Sequence, residues 1–291
     1  MMNSVFASGA RVAVTGANGW FGRSTLKVLN DMDVEVYATS NRQTTISFGT
    51  RKFEVTEWEE SQIADFRPDV VVDCAFLTKE RFAEFTPENY VATNRMLVQR
   101  ALWLAGLPTV EHFIGFSSGA SITDPSHPYG MIKREYEVAL ERLQKSRNNS
   151  IVIARAWSVS GHLITKPSMF ALSDFVVQAR SGTIKINATG PVRRRYVAIE
   201  DLLLLASKIS NASGFHVIDS GGQLVELQEL AEIVAEVVNP EALIIRDLNP
   251  NSPANDYFSN DISWKRACEI ANYQPRSLRD QIKLVSDELL T

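Results

Sequence analysis

The stretch TGANGWFG, residues 15–22, carries three glycines spaced three apart, directly after an apolar run at residues 11–14. The apolar run is typical of a short buried strand, and the residues from Trp20 onward have helical character. Glycine adopts backbone conformations that other residues avoid, so a glycine at such a junction indicates a tight turn. The stretch therefore predicts a strand, a turn and a helix in that order.

The same glycines predict a site for the diphosphate of a dinucleotide. The first turn of a helix offers free N–H groups and a positive dipole end to an anion. Gly16 would form the turn, Gly19 would let the backbone approach the phosphates, and Gly22 would let the helix pack on the sheet. A glycine-rich turn used only for packing is the alternative. The cofactor-binding residues predicted at this turn and at a neighbouring strand end are Gly16, Asn18, Gly19, Trp20, Phe21, Gly22 and Ala75.

The end of the second predicted strand bears on which dinucleotide binds. Proteins that bind NAD usually carry an acidic residue about 20 positions after the glycines, where it contacts the ribose 2′-hydroxyl. Ser40, Asn41 and Arg42 stand at this place, and none of them is acidic. Ser40 and Arg42 could instead bind the 2′-phosphate of NADP, Arg42 through charge-assisted hydrogen bonds. We expect NADP(H) to be preferred and NAD(H) to be possible; a polar loop with a solvated arginine is the alternative.

Strands and helices alternate through the first half, which predicts a parallel sheet covered on both faces. The predicted strands are 11–15, 34–39, 51–55, 70–75, 112–117 and 151–156, and the predicted helices are 20–29, 86–105 and 129–145. Beyond residue 157 the pattern loosens into strands at 196–199, 215–218 and 243–246 and helices at 200–211, 225–238 and 277–290. We expect an α/β protein: a Rossmann-like, doubly wound parallel sheet in residues 1–157, and a smaller mixed substrate-binding lobe in residues 158–291, some of whose segments return to the first domain.

Composition and charge argue against several other classes of protein. The chain has 291 residues, of which 45% are hydrophobic and 22% charged, as in ordinary globular proteins. Its net charge of −4 gives no reason to expect nucleic acid or an anionic membrane as partner. Residues 1–9 lack the pattern of a signal peptide, and the run at 202–206 is too short to cross a bilayer. With two cysteines and four scattered histidines, we expect a cytoplasmic protein without a metal site.

A tyrosine and a lysine stand four residues apart near the start of the helix predicted at 129–145. On a helix, Tyr129 and Lys133 share one face. A nearby ammonium favours the phenolate and so lowers the pKa of a phenol, which lets the pair exchange a proton with an alcohol or a carbonyl. The spacing alone is a weak signal. Ser117 and Ser118 strengthen it, because they end the preceding strand, where sheets of this kind bind ligands.

These motifs, in this order and spacing, resemble the extended short-chain dehydrogenase/reductases, in the branch of nucleotide-sugar epimerases and dehydratases. The residues that carry the resemblance are Thr15, Gly16, Gly19, Gly22, Asn89, Ser118, Tyr129 and Lys133, together with the segments 89–93, 153–161 and 194–201. Dehydratases of this family follow the active-site Ser or Thr with Asp-Glu. Gly119 and Ala120 stand there instead, so dehydration of a sugar is disfavoured.

The resemblance implies a role for each matching residue. Tyr129 would be the proton donor or acceptor, and Lys133 would bind the nicotinamide ribose and lower the tyrosine pKa. Ser118 would hydrogen-bond the reacting oxygen, with Ser117 as the weaker candidate for a substrate contact. Asn89 would lie near the cofactor, and Arg194 would bind the diphosphate of a sugar nucleotide. Asp73, after a valine run, is either buried and paired or placed near the cofactor, and we favour the second.

The main hypothesis is an NADP(H)-dependent reductase of a keto group on a nucleotide-linked keto-deoxysugar, with Tyr129 as proton donor. An NAD(P)-dependent nucleotide-sugar epimerase is the alternative. A reductase of a small non-sugar carbonyl and a non-catalytic NADP-sensing regulator also remain open. By resemblance we expect a homodimer, formed through the helices that carry residues 89–105 and 129–145.

Overall fold

The computed structural model describes residues 4–249 and 251–289; Met1–Asn3, Pro250, Leu290 and Thr291, which include parts of the predicted N-terminal segment and last helix, lie outside it. The strands are β1 (Arg11–Thr15), β2 (Glu35–Ser40), β3 (Thr44–Phe48), β4 (Arg51–Glu57), β5 (Val70–Asp73), β6 (His112–Ser118), β7 (Ser150–Ala156), β8 (Ser158–Ser160), β9 (Thr183–Ile186), β10 (Val192–Ala198), β11 (Gly214–Asp219), β12 (Gln223–Glu226), β13 (Leu243–Arg246) and β14 (Asn255–Tyr257). The helices are α1 (Trp20–Asn30), α2 (Glu60–Phe66), α3 (Pro87–Ala105), α4 (Ala120–Thr123), α5 (Pro128–Gln144), α6 (Ala171–Arg180), α7 (Ile199–Ile209), α8 (Leu227–Val238), α9 (Ile262–Ala271) and α10 (Leu278–Glu288).

The largest sheet has eight strands in the order β11-β7-β6-β5-β1-β2-β4-β3. Strand β1 pairs in parallel with β5 on one side and with β2 on the other, so the chain winds outward from β1 in both directions. Strands β5, β6 and β7 continue the parallel pairing, and the edge strand β3 is antiparallel to β4. The prediction of an α/β protein with a doubly wound, Rossmann-like sheet is confirmed.

The chain divides into two compact units. The first comprises Met1–Ala156, Leu203–Ile218 and Ala267–Tyr273, and the second comprises Trp157–Leu202, Asp219–Arg266 and Gln274–Thr291. In the first unit, Val71 of β5 lies in a core with Phe113 of β6 and with the inner faces of α3 and α5. In the second unit, α6, α8 and α10 share a core with Tyr196 of β10. No helix among the described residues is long and apolar enough to cross a membrane.

Two departures from the predicted elements have local causes. Strand β3 was not predicted, because its residues are largely polar and exposed; it forms a hairpin with β4 at the sheet edge. The helix predicted from Val225 begins at Leu227, because Gln223–Glu226 pair with β10 as strand β12. The Glu226 carboxylate then accepts a hydrogen bond from the backbone N–H of Gln228 and caps α8.

Arg51, at the start of β4, caps the carboxyl end of α1. Its guanidinium donates hydrogen bonds of 2.6–3.1 Å to four backbone carbonyls, those of Leu29, Asn30, Met32 and Val34. These carbonyls belong to the last turn of the helix and to the segment that leads into β2, where no intrahelical donor is available. One side chain therefore joins α1, β2 and β4.

Replacing Arg51 with Met should lower the free energy of unfolding by about 2 to 3 kcal/mol, because it removes charged donors from partly buried carbonyls. Urea denaturation followed by circular dichroism measures the loss. Lys52→Met, at the exposed neighbouring position, is the control and should change stability by less than about 0.5 kcal/mol. Equal effects of the two variants would contradict this account of Arg51.

Candidate active site

The turn between β1 and α1 lies against the end of β5. Gly16 has φ of +60°, and a Cβ on it would come within 2.7 Å of the Cys74 carbonyl oxygen and 2.8 Å of the Ala75 nitrogen. Gly19 is exposed and precedes α1 with no side-chain capping hydrogen bond. A Cβ on Gly22 would overlap the backbone of the turn itself, so this glycine lets α1 pack on the turn. Gly16 and Gly22 thus serve close packing of the turn, and Gly19 is the exposed glycine at the start of α1.

The Thr15 hydroxyl joins this turn to β5. It donates to Asp73 Oδ1 over 2.5 Å and accepts hydrogen bonds from the backbone nitrogens of Cys74 and Ala75 at 3.1 and 3.2 Å. Asp73 is 6% exposed, and its second oxygen accepts a 2.8 Å hydrogen bond from the Tyr136 hydroxyl. Asp73 thus ends its strand beside the glycine turn and is buried and paired, which is the alternative that we did not favour; its place near the cofactor stays a prediction.

The predicted cofactor residues at the end of β2 lie beside the same turn. The Asn18 amide donates to the Arg42 carbonyl oxygen over 3.0 Å, and the Ser40 hydroxyl donates to Asn41 Oδ1 over 3.3 Å. The Arg42 side chain is exposed. This corner of the first unit therefore combines an exposed guanidinium with hydroxyl and amide groups.

The aromatic residues of the glycine motif pack inward. Trp20 is 8% exposed, and its ring lies 6.0 Å from that of Phe21. The Phe21 ring in turn contacts Phe116 of β6 edge-on, with 4.8 Å between the ring centroids. The Phe21 side chain therefore packs α1 against the sheet, and contact of Trp20 and Phe21 with a cofactor stays a prediction.

Phe76, which sequence reasoning weighed as pocket or core, contacts both members of the tyrosine–lysine pair. Its ring packs edge-on against Tyr129, at 5.7 Å between centroids, and the Lys133 ammonium lies 3.6 Å from its centroid. Lys133 is 5% exposed and donates a 2.7 Å hydrogen bond to the Phe116 carbonyl oxygen. His127 caps the helix by accepting from the Tyr129 backbone N–H over 3.1 Å. The start of α5 thus presents a half-buried phenol and a buried ammonium on one face.

Burial lowers the pKa of Lys133 to about 8, although the negative charges of Asp73 and Glu137 act in the opposite direction. The pKa of Asp73 is raised by burial, against the effect of hydrogen bonds from Thr15 and Tyr136 and of the Lys133 charge. With a pKa of about 8, Lys133 is still mainly an ammonium at neutral pH and can favour the ionised form of a nearby phenol.

The two candidate serines at the end of β6 have different surroundings. The Ser117 hydroxyl donates to Glu137 Oε1 over 2.6 Å, and Arg155 binds the same carboxylate with bonds of 2.9 and 2.7 Å. Burial alone would raise the Glu137 pKa, but hydrogen bonds from Arg155 and Ser117 hold it below its usual value. The Ser118 hydroxyl, which is 6% exposed, accepts a hydrogen bond from the Ala120 N–H at 3.2 Å. Ser117 is therefore bound into a structural cluster, and Ser118 is the better candidate for a substrate contact.

Two asparagines of α3 differ in burial. Asn89, the predicted cofactor residue, has an exposed side chain on the first turn, where its backbone N–H donates to Thr86 Oγ1 over 3.3 Å. Asn94 is fully buried; its amide accepts from the Leu77 N–H at 2.8 Å and donates to the Leu77 carbonyl at 3.2 Å. Asn94 thereby fixes the chain next to Phe76. Sequence reasoning missed it, although an asparagine at a buried helix position was the available signal.

Arg194 belongs to the second unit. Its guanidinium donates to the backbone carbonyl and the side-chain oxygen of Asn255, over 2.8 and 3.0 Å. Burial lowers the pKa of Arg194. Nearby in the same unit, the rings of Trp157 and Tyr257 lie 5.0 Å apart, and Trp157 Nε1 donates to Asp219 over 2.9 Å. Arg194 is thus a half-buried, fixed cation.

A sequence model of the NAD dependent epimerase/dehydratase family matches residues 12–214, which include the glycine turn, the serines and the Tyr129–Lys133 pair. The chain belongs to this family. The resemblance drawn from the motifs is confirmed, and the chain is of the short-chain dehydrogenase/reductase type. No curated protein sequence matches it.

Solved structures share the fold of this family member at low sequence identity. The UDP-glucose 4-epimerase of Thermus thermophilus, in complex with NAD, has a TM-score of 0.76 at 18% identity, over 96% of this chain and 99% of that chain. The UDP-glucose 4-epimerase of Brucella ovis, also with NAD, has a TM-score of 0.75 at 18% identity, over 96% and 98%. The UDP-N-acetylglucosamine 4-epimerase of Methanobrevibacter ruminantium, in complex with UDP-N-acetylmuramic acid, has a TM-score of 0.75 at 19% identity, over 97% and 99%.

The residues present fit the dinucleotide that the family name implies. The exposed Gly19 leads into the first turn of α1, which has no side-chain cap, so its N–H groups are suited to a phosphate. The described residues include no group of three or more His, Cys, Asp or Glu side chains arranged to hold a metal ion.

Replacing Gly16 with Ala should abolish dinucleotide binding and lower the melting temperature, because its Cβ would meet the Cys74 and Ala75 backbone. Gly49 provides a matched control, since it has nearly the same φ, +59°, but open space around a Cβ. Gly49→Ala should show only the cost of backbone strain, about 1 kcal/mol, and bind NAD as the parent does. Calorimetric titration and thermal unfolding measure both effects, and equal losses in the two variants would refute the close-approach argument.

Proposed function

We propose that this chain is an NAD-dependent epimerase of a nucleotide sugar, which oxidises one carbinol carbon and reduces it again with the opposite configuration. One observation carries the proposal: Tyr129 and Lys133 share a face of α5 and both contact Phe76, next to the strand that ends in Ser118. Family membership and the fold shared with two NAD-bound UDP-glucose 4-epimerases support it.

Bound NAD would supply the acceptor and then the donor of the hydride. Tyr129, as the phenolate, takes the hydroxyl proton while the carbon–hydrogen bond breaks, and it returns the proton when the carbon is reduced. The Lys133 ammonium stabilises the phenolate, and the Ser118 hydroxyl hydrogen-bonds the reacting oxygen. Over both halves the cofactor and the residues return to their starting states, so the configuration at one carbon is the only net change.

The residues after Ser118 support epimerisation over loss of water. Elimination needs a general acid and a general base at neighbouring carbons of the sugar. Gly119 and Ala120 carry no ionisable group, and the hydroxyl of the next residue, Ser121, donates to Glu137 over 2.8 Å. The proton-transfer pair of this proposal is therefore Tyr129 with Lys133, which is sufficient for oxidation and reduction at one carbon.

The proposed substrate is a sugar nucleotide, with Arg194 binding its diphosphate. A planar guanidinium matches two phosphate oxygens, and Asn255 holds that of Arg194 in one orientation. The Methanobrevibacter ruminantium structure, which contains UDP-N-acetylmuramic acid, supports this substrate class. A homodimer through α3 and α5 and a cytoplasmic location remain predictions. Arg95 and Glu135 join these two helices on an exposed face, with hydrogen bonds of 2.9 and 2.7 Å.

The test is to incubate the protein with NAD and a panel of UDP-sugars and to follow the products by proton NMR. An epimerase produces the epimer with no net change in nicotinamide absorbance. Tyr129→Phe should lower the rate by about 10² to 10⁴-fold, because the proton carrier is lost, while NAD binding changes little. Tyr37→Phe, on β2 with its hydroxyl bonded to Gln62, is the control. Full activity in Tyr129→Phe would refute the role of Tyr129 as proton carrier.

A second candidate is an NADP(H)-dependent ketoreductase of a nucleotide-linked ketosugar, favoured by the end of β2. Ser40, Asn41 and the exposed Arg42 include no carboxylate that would repel a 2′-phosphate. A net reductase must exchange its spent cofactor at each turnover, whereas an epimerase keeps its cofactor. The two functions therefore differ in whether reduced cofactor is consumed.

Replacing Arg42 with Ala distinguishes the two cofactors. If NADP(H) is the natural cofactor, the variant should bind NADPH at least about tenfold more weakly and NADH unchanged, because only NADPH has the 2′-phosphate. Gln43→Ala, the exposed next residue, is the matched control. Fluorescence titration with both reduced dinucleotides measures the affinities, and unchanged NADPH affinity in Arg42→Ala would remove the case for NADP(H).

A further inference from the structure

Thr15 and Asp73, at the carboxyl ends of β1 and β5, lie side by side with Gly115 in the middle of β6. Thr15 pairs with Asp73 across β1 and β5, and Asp73 pairs with Gly115 across β5 and β6. The Tyr136 side chain of α5 runs over Gly115, where a Cβ would overlap its hydroxyl, and donates to Asp73 Oδ2 over 2.8 Å. Because residue 115 of β6 is a glycine, the Tyr136 hydroxyl can reach the Asp73 carboxylate.

The Asp73–Tyr136 pair is buried, and each Asp73 oxygen accepts a hydrogen bond from a hydroxyl. Asp73 is 6% exposed and Tyr136 1% exposed. One carboxylate oxygen accepts from Thr15 over 2.5 Å and the other from Tyr136. A buried carboxylate without such donors would be costly in free energy and would take up a proton. The two hydroxyls oppose this cost and so favour the ionised carboxylate, although burial still raises the pKa of Asp73.

Lys133 stands one helical turn before Tyr136. Its ammonium lies 5.3 Å from the Tyr136 ring centroid, and it bonds the carbonyl of Phe116, the residue that follows Gly115. The ionisable groups that act on it are Asp73 and Cys74 at the end of β5 and Glu137 on its own helix; Tyr129 and Tyr136 are the other ionisable side chains on its side of α5. Glu137 is already bound by Arg155. Asp73 is the remaining carboxylate of this group.

We propose that Asp73 and Tyr136 form a positioning pair that keeps the Lys133 ammonium protonated and in place. Resting on the proposed function, the pair also sets the upper pH limit of NAD binding. Tyr136 acts by keeping Asp73 ionised, and Asp73 acts by its charge. Neither residue touches the substrate.

The charge on Lys133 is read directly from its rate of acetylation by acetic anhydride as a function of pH, with mass spectrometry of its peptide. Only the neutral amine reacts, so the rate gives the fraction deprotonated. The wild-type midpoint is expected at about 8. Asp73→Asn removes the attracting charge, so the ammonium loses its proton more easily and the midpoint should fall by about one pH unit. Tyr136→Phe, which retains the ring, should shift the midpoint in the same direction by a smaller amount.

NAD affinity provides the second measurement. With a shift of about one unit, Asp73→Asn should bind NAD about fivefold more weakly than wild type near pH 8 and about equally near pH 6. A loss of affinity caused by misfolding would not depend on pH in this way. Lys133→Met should abolish the pH dependence, which assigns it to Lys133.

Two conservative variants serve as controls. Asp69→Asn changes a carboxylate at the opposite end of β5, and Tyr37→Phe removes a tyrosine hydroxyl on β2; both should keep the wild-type midpoint. If Asp73→Asn does not fold, the acetylation midpoint of Tyr136→Phe alone tests the proposal. Wild-type midpoints in the variants that fold overturn the proposal. Shifted midpoints in a protein that does not bind NAD would support the pair and refute the proposed function, so the two failures can be told apart.

Discussion

The close contact between the β1–α1 turn and the end of β5 is the constraint on which the site depends. Gly16 can lie on the Cys74–Ala75 backbone only because it lacks a Cβ, and the Thr15 hydroxyl bonds both backbone nitrogens of that segment. Strands β1 and β5 therefore end at one level. Helix α1 follows the end of β1, and the segment that contains Phe76 follows the end of β5. A side chain larger than hydrogen at Gly16 would separate the two halves of the site.

A buried ammonium explains why so many polar groups lie beneath the surface of the first unit. Taking Lys133 out of water disfavours its charged form, so the fold must supply compensating groups nearby. It supplies the Phe116 carbonyl, the face of the Phe76 ring and the charge of Asp73. A purely structural core would use apolar residues at these positions, since a buried ion pair adds little stability by itself. The arrangement is therefore best explained by chemistry at Lys133.

Periodic features of the chain could be predicted from its sequence, and contacts between distant segments could not. Apolar runs and helix ends located the central strands and α1, α3 and α5 to within about two residues, and the Tyr129–Lys133 spacing located the candidate site. The roles of Phe76 and Asn94 depend on a loop that contacts α3 and α5, and local sequence patterns do not predict such contacts. The Tyr136–Asp73 bond joins residues 63 positions apart, although Tyr136 lies seven residues after Tyr129, which places both on one side of a helix.

The segment after β5 bears on the choice between retaining and exchanging the cofactor. It contacts α5 and the turn before it at several points: Phe76 on Tyr129 and Lys133, Lys79 bonded to Asp124 over 2.7 Å, and the Phe82 ring 5.0 Å from that of His127. Asn94 fixes the same segment from the other side. In the proposed epimerase the dinucleotide would stay bound through both half-reactions, which a segment held firmly beside Lys133 would favour. A net reductase must open such a segment at every turnover, and each contact would slow that step. The contacts of this segment with α5 support the proposal of a retained cofactor, whereas the acid-free end of β2 supports the second candidate.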